Sequence, residues 1–109
     1  MTYCVAMLLD TGLVLLSDSR TNAGVDQIST FRKTTVFEKA GERVLVLQTS
    51  GNLAVAQAVV NILREQIAAG DHAQHLMNCD SLFDAARIVG EALRMVHRHD
   101  AESFKAFGL

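Results

Sequence analysis

Four short stretches of this chain carry residue types that can do acyl-transfer chemistry. The first is Met1-Thr2. Trimming an initiator methionine ahead of a small side chain leaves a threonine at the N-terminus, and a free α-amine has a pKa of ~7.7–8. Near neutral pH a useful share of that amine is unprotonated. It can then take the proton of its own hydroxyl and make Oγ a nucleophile. The second stretch is Ser17-Asp18-Ser19-Arg20, where an apolar run ends in charge and can aim a carboxylate into a site. The third is Lys33, which follows Phe31-Arg32. A lysine partly buried beside a carboxylate can lower a neighbouring pKa or shuttle a proton. The fourth is Thr49-Ser50-Gly51-Asn52. Free backbone N–H groups at a helix start, with a glycine that admits a substrate carbonyl, suit an oxyanion site.

Each stretch also has a plainer reading. Met followed by a small residue opens many chains, Asp18 can simply pair with Arg20, Lys33 can be solvated, and Thr49-Ser50-Gly51-Asn52 can be an ordinary cap followed by a helix. The histidines are weaker still. His72 and His75 have HxxH spacing but no supporting acid or cysteine cluster, so neither a metal nor any other cofactor is expected. His97 and His99 are read as cations near the end of a helix, where its dipole favours them.

The elements that must position these residues follow from periodicity. Tyr3 to Leu9 and Leu13 to Ser17 are apolar and β-rich around the turn signal Asp10-Thr11-Gly12, which predicts a hairpin. Arg20 to Ser29 is polar, with Asn22, Gly24 and Asp26, and is expected to be a loop. Thr34 to Glu38 and Arg43 to Thr49 predict a second hairpin. Beyond it, Leu53, Ala56, Val60, Leu63 and Ile67 repeat at helical spacing up to Gly70, a residue suited to closing a helix. A second helix is capped by Asp80 or Ser81, has Asp84 in its first turn, and carries the stripe Leu82, Ala86, Val89, Leu93, Val96. Gly70 to Asp80 is expected to be a solvated connection, and Ala101 to Leu109 shows no clear period.

The composition bounds the function. At 109 residues the chain is one domain's worth, without linker or repeat, and half of its residues are apolar. A net charge of −2 gives no electrostatic footprint for nucleic acid. No apolar run reaches the ~20 residues of a membrane span, and the N-terminus lacks the basic lead of a secretory signal. A cytoplasmic protein with two reduced thiols, Cys4 and Cys79, is the expectation.

The predicted strands are apolar on both alternating faces: Val5, Met7 and Leu9 on one, Cys4, Ala6 and Leu8 on the other. Such a sheet must be covered twice, and two helices following in sequence most simply cover one face. The second cover is expected from further sequence or from a partner.

The order of motifs resembles the β-subunits of the proteasome, which are N-terminal nucleophile hydrolases. The stretches MTYCVAMLLD, LVLLSDSRTNAGVDQISTFRK and VLVLQTSGNLAVAQAVV resemble, more closely, the Anbu family, the bacterial ancestral β-subunits. The resemblance spans nearly the whole chain. It implies an α+β fold that is the N-terminal half of a four-layer αββα sandwich, here two β-hairpins followed by two antiparallel helices, as one partial domain over 1–109.

The resemblance also implies threonine-dependent hydrolysis of peptide or small amide bonds, and self-association into a ring or spiral. By position, Thr2 matches the nucleophile, Asp18 the carboxylate beside it, and Lys33 the lysine that eases deprotonation of Thr2. The Gly51 N–H matches the oxyanion donor. Thr21, Thr49 and Leu53 fall where such subunits line a substrate pocket, and Arg20 and Ser50 are supporting neighbours. The family's chains are about twice as long, so this chain is expected to be the nucleophile-bearing half and too short for activity by itself. A catalytically silent subunit of a ring or spiral is the competing function. A small binding module with an incidental Thr2, Asp18 and Lys33 is a third.

Overall fold

A computed structural model of the protein describes residues 3–22, 28–30 and 32–106. Among the described residues, six strands precede two helices, in the order β1 (Cys4–Leu9), β2 (Gly12–Ser17), β3 (Arg20–Asn22), β4 (Ile28–Thr30), β5 (Thr34–Lys39), β6 (Arg43–Gln48), α1 (Leu53–Ala68) and α2 (Leu82–Ala106). The chain divides into two compact units, Met1–Ala56 and Gln57–Leu109.

In the first unit the described strands pair as sequential antiparallel hairpins, β1–β2, β3–β4 and β5–β6. Both hairpins expected from the sequence form. Asp10 and Thr11 turn the first, leaving Leu9 opposite Gly12, and the second closes with Lys39 opposite Arg43. The stretch expected to be a loop is instead the third, short hairpin, with Arg20 opposite Thr30, Thr21 opposite Ser29 and Asn22 opposite Ile28. Polar composition hid it. Thr, Ser and Ile tolerate a strand well, and three ladder positions need no apolar face to reveal them.

Residues directly opposite in an antiparallel pair share a face, so β1–β2 sorts into two apolar surfaces. Val5, Met7, Leu9, Val14 and Leu16 lie on one and all five are exposed, while Leu8 on the other is 85% exposed. In β5–β6 the two faces differ: Phe37 is buried, whereas Val36 and Val44 on the opposite face are exposed.

The second unit takes its core from both helices and the segment between them. Val59, Val60 and Leu63 of α1 are buried, as are Ala85, Ile88, Ala92 and Val96 of α2. The α2 stripe thus differs from the expected one. Leu82 and Leu93 are exposed, and the inward row is Ala85, Ile88, Ala92 and Val96, two of them alanines that sequence hydropathy underweights. Ser81, rather than Asp80, caps α2 by accepting the Asp84 N–H at 3.1 Å. Past α1, Gly70 adopts φ +95°, the left-handed conformation expected of a residue that closes a helix.

Two further expectations are corrected. The connection after Gly70 is not solvated throughout, since His75, Leu76, Met77 and Cys79 are buried in it. The tail is helical to Ala106, so His97 and His99 sit in the helix interior rather than at its last turn. Their exposure there needs no dipole argument.

Candidate active site

The carboxylate of Asp18 is the hub of the polar cluster in the first unit. Asp18 directly follows β2, and its N–H donates to the Tyr3 carbonyl at 3.1 Å, extending the β1–β2 ladder by one rung. The reciprocal bond is different. The Tyr3 N–H donates at 2.8 Å to Asp18 Oδ1, a side-chain oxygen. The second oxygen, Oδ2, receives the Lys33 ammonium at 2.7 Å. One carboxylate thus ties the backbone next to Thr2 to a lysine that precedes β5.

Lys33 is only 5% exposed. An ammonium taken that far from water costs several kcal/mol unless a carboxylate and further hydrogen bonds compensate it. The plain reading of a solvated lysine therefore does not apply. The backbone of Lys33 is fixed as well, its carbonyl accepting the Thr49 N–H at 2.9 Å and the Thr49 hydroxyl at 3.5 Å. Cys4 adds a weak thiol contact to the Thr49 carbonyl at 3.7 Å. Thr49 thus extends the β5–β6 ladder beside Lys33, as Asp18 extends the β1–β2 ladder beside Tyr3.

Gly51 follows two residues later with φ +93°, and an added Cβ would meet no atom within 4 Å. Space does not demand glycine here; the backbone conformation does, because an L-residue with a side chain is strained there. Asn52 then caps α1 through Val55 N–H at 3.1 Å, as the plain reading had it. Ser50 is exposed and Leu53, the first residue of α1, is half-buried. Thr21 lies in β3 opposite Ser29, and Arg20 opposite Thr30. Thr2 lies outside the described residues.

The structure thus links Tyr3, Asp18, Lys33 and Thr49 in one run of contacts. Sequence reasoning missed the polar residues behind them. Ser17 Oγ and Thr34 Oγ1 are 2.6 Å apart, and the Gln48 amide nitrogen donates to the Leu16 carbonyl at 3.1 Å, with Val5 O and Thr34 Oγ1 at 3.5 Å. The available signal was a glutamine closing the apolar strand RVLVLQ. Among the described residues no three His, Cys, Asp or Glu side chains gather as a metal site, and neither cysteine is in a disulfide. No helix among them is long and apolar enough to cross a membrane.

No protein-family model and no curated protein matches the chain. Solved structures do. Anbu, the ancestral β-subunit, from Yersinia bercovieri is 47% identical over 95% of this chain and 44% of its own, with a TM-score of 0.84. The helical assembly of the Anbu complex from Pseudomonas aeruginosa gives 49% identity, coverage of 92% and 40%, and a TM-score of 0.82. A mutant of Anbu from Hyphomicrobium sp. strain MC1 gives 41%, 94% and 43%, and 0.83. This chain spans less than half the length of the Anbu chains it matches. Identity and fold over almost all of its residues place it with the Anbu family, as the match to a half-domain of those proteins.

Proposed function

We propose that this protein is a proteasome-like hydrolase subunit in which Thr2, freed of Met1, cleaves peptide or small amide bonds. The observation that carries this reading is the Asp18 carboxylate, held between the Tyr3 N–H and the buried Lys33 ammonium. An ion pair with a buried ammonium, bound to the residue that follows Thr2, is costly to build and has an obvious use. Its positive member sets a fixed field in which a threonine alkoxide forms more readily.

The reaction then runs in two halves. The Thr2 α-amine takes the Oγ proton as Oγ adds to the substrate carbonyl carbon, and the Gly51 N–H stabilises the resulting oxyanion. Collapse breaks the C–N bond, the leaving amine takes the proton, and an ester remains on Thr2. Water, deprotonated by the same amine, adds to the ester and releases the acid, restoring Thr2. No cofactor enters. Thr49 and Leu53, with Thr21, border the place where the side chain before the cleaved bond would lie.

The Pseudomonas aeruginosa relative forms a helical assembly, which supports self-association of this protein into a ring or spiral. The cytoplasm fits a site whose nucleophile depends on methionine trimming.

Intact mass and a threonine-directed electrophile test the chemistry. The protein should lack Met1 and gain one adduct on Thr2, and Thr2→Ala should remove both the adduct and hydrolysis, a loss on the order of 10⁴–10⁶ in rate. Retained Met1, or no adduct on a trimmed Thr2, would leave the silent structural subunit as the better account.

A further inference from the structure

We infer that Gln48, with Ser17 and Thr34, forms a polar clasp that sets the distance between Asp18 and Lys33, and that Gln48 is therefore a positioning residue of the site. The catalytic part of this inference rests on the function proposed above; the structural part does not.

The need for such a clasp follows from topology. Asp18 belongs to the β1–β2 hairpin and Lys33 to the β5–β6 hairpin, and each hairpin is its own two-stranded sheet. Their 2.7 Å contact must therefore be held by side chains. An ion pair alone is a poor ruler, because an ammonium is a point charge on a flexible stem and accepts many geometries.

The clasp lies next to the pair on both hairpins. Ser17 immediately precedes Asp18 and Thr34 immediately follows Lys33; their hydroxyls are 2.6 Å apart. Gln48 sits opposite Thr34 in the β5–β6 register. Its amide reaches across to the other hairpin, where Val5 and Leu16 face one another as a rung. The amide nitrogen lies 3.1 Å from the Leu16 carbonyl and 3.5 Å from the Val5 carbonyl. Carbonyl oxygens only accept, so it is the NH₂ end of the amide that faces them, and no other uncharged side chain of this length has two hydrogens to give.

Adjacent residues on extended chain point to opposite faces. Ser17 and Asp18 are adjacent, as are Lys33 and Thr34. The clasp and the ion pair therefore fasten the same two backbones from opposite sides, and displacement that stretches one is resisted by the other.

The prediction separates donor chemistry from packing. Gln48→Met keeps length and volume but donates nothing, and Gln48→Glu offers oxygens to oxygens. Thr34→Val keeps shape without the hydroxyl, and Thr34→Ser keeps the hydroxyl. The first readout needs no activity. The coupling between Asp18→Asn and Lys33→Met, measured by denaturant unfolding in a double-mutant cycle, should fall at least threefold as an equilibrium ratio in the Gln48→Met background and stay within twofold in Thr34→Ser.

The second readout is the rate of adduct formation at Thr2. It should drop about tenfold at saturating electrophile in Gln48→Met, Gln48→Glu and Thr34→Val, with half-saturation nearly unchanged, and recover in Thr34→Ser. An unchanged coupling in Gln48→Met overturns the clasp. A reduced coupling with an unchanged rate keeps the clasp and overturns its role in the reaction. Reduced coupling with no adduct even in wild type overturns the proposed function while the clasp stands.

Discussion

Two acid–base contacts of the same length, 2.7 Å, occupy the two units of this protein: Asp18 with Lys33 in the first, Asp71 with His75 in the second. Each has a buried nitrogen base, with side-chain exposures of 6% for Lys33 and 5% for His75. Their acids differ. Asp71 is 79% exposed and only four residues from its partner, so water solvates it and the loop itself supplies the geometry. Asp18 is 28% exposed, fifteen residues from Lys33, and binds a second donor on a third stretch of chain.

The His75 ring is spent on local structure. Its Nδ1 accepts the Met77 N–H at 3.1 Å, which leaves the proton on Nε2 for Asp71, while Asn78 Oδ1 accepts the His75 N–H at 2.7 Å. Every polar atom of that side chain serves the loop that carries it. Distance and burial therefore do not separate the two pairs. What separates them is that the Asp18–Lys33 geometry spans separate elements beside Tyr3, which is why the proposed function is placed there.

The comparison can be broken at several places. The largest effect is expected from Lys33→Met, which should cut Thr2 acylation by ~10²–10⁴-fold, the usual span for a group that assists proton transfer. Kinetics with a fluorogenic peptide or the Thr2-directed electrophile measures it. An effect below tenfold would reduce Asp18–Lys33 to the standing of the second pair. His75→Ala should instead cost stability, about 1–3 kcal/mol in denaturant melts, because it strands the buried Met77 N–H and opens space. Acylation by the folded fraction should stay at the wild-type rate, and a fall there would give the loop a part in the chemistry.

Asp71→Ala is expected to shift stability by no more than ~1 kcal/mol, as exposed pairs do. The smallest effect calibrates the series at an exposed turn. In the β5–β6 turn, the hydrogen bond from Lys39 chiefly, with the charges of Lys39 and Arg43, holds the Glu42 carboxyl below its ordinary value of 4.5. A depressed folded pKa contributes stability that is present above 4.5 and is lost as pH falls through the lower folded value. Glu42→Gln should therefore flatten a shallow slope on the acid limb below pH 4.5, seen in melting temperature against pH, by slightly lowering the plateau above 4.5 while leaving the acid end unchanged.

Much of this arrangement was legible in the sequence, because each readable part had a local cause. Strong β-propensity on either side of Asp10-Thr11 gives the first hairpin, and Asn52 and Ser81 announce their helices by cap chemistry. Asp18, Lys33 and Gly51 could be singled out by type and by position at element ends. What was not legible depends on partners far along the chain. Nothing local says that Gln48 reaches Leu16, that Ser17 meets Thr34, or that His75 turns inward on Asp71. The α2 stripe was misjudged for a related reason: Ala85 and Ala92 are buried, and an alanine's own hydropathy does not announce it.

The short β3–β4 hairpin, invisible as a polar stretch, has a consequence for how the site comes into being. Joining Asp18 to Lys33 closes fifteen residues of chain. With Arg20 already opposite Thr30, the path between the two charges shrinks to about six steps. The entropy of closing a loop scales with the logarithm of its length, so the zippered hairpin lowers that cost by about 0.8 kcal/mol. The order of assembly is thereby biased: the hairpin forms from neighbours in sequence, and the two charges then find themselves within reach.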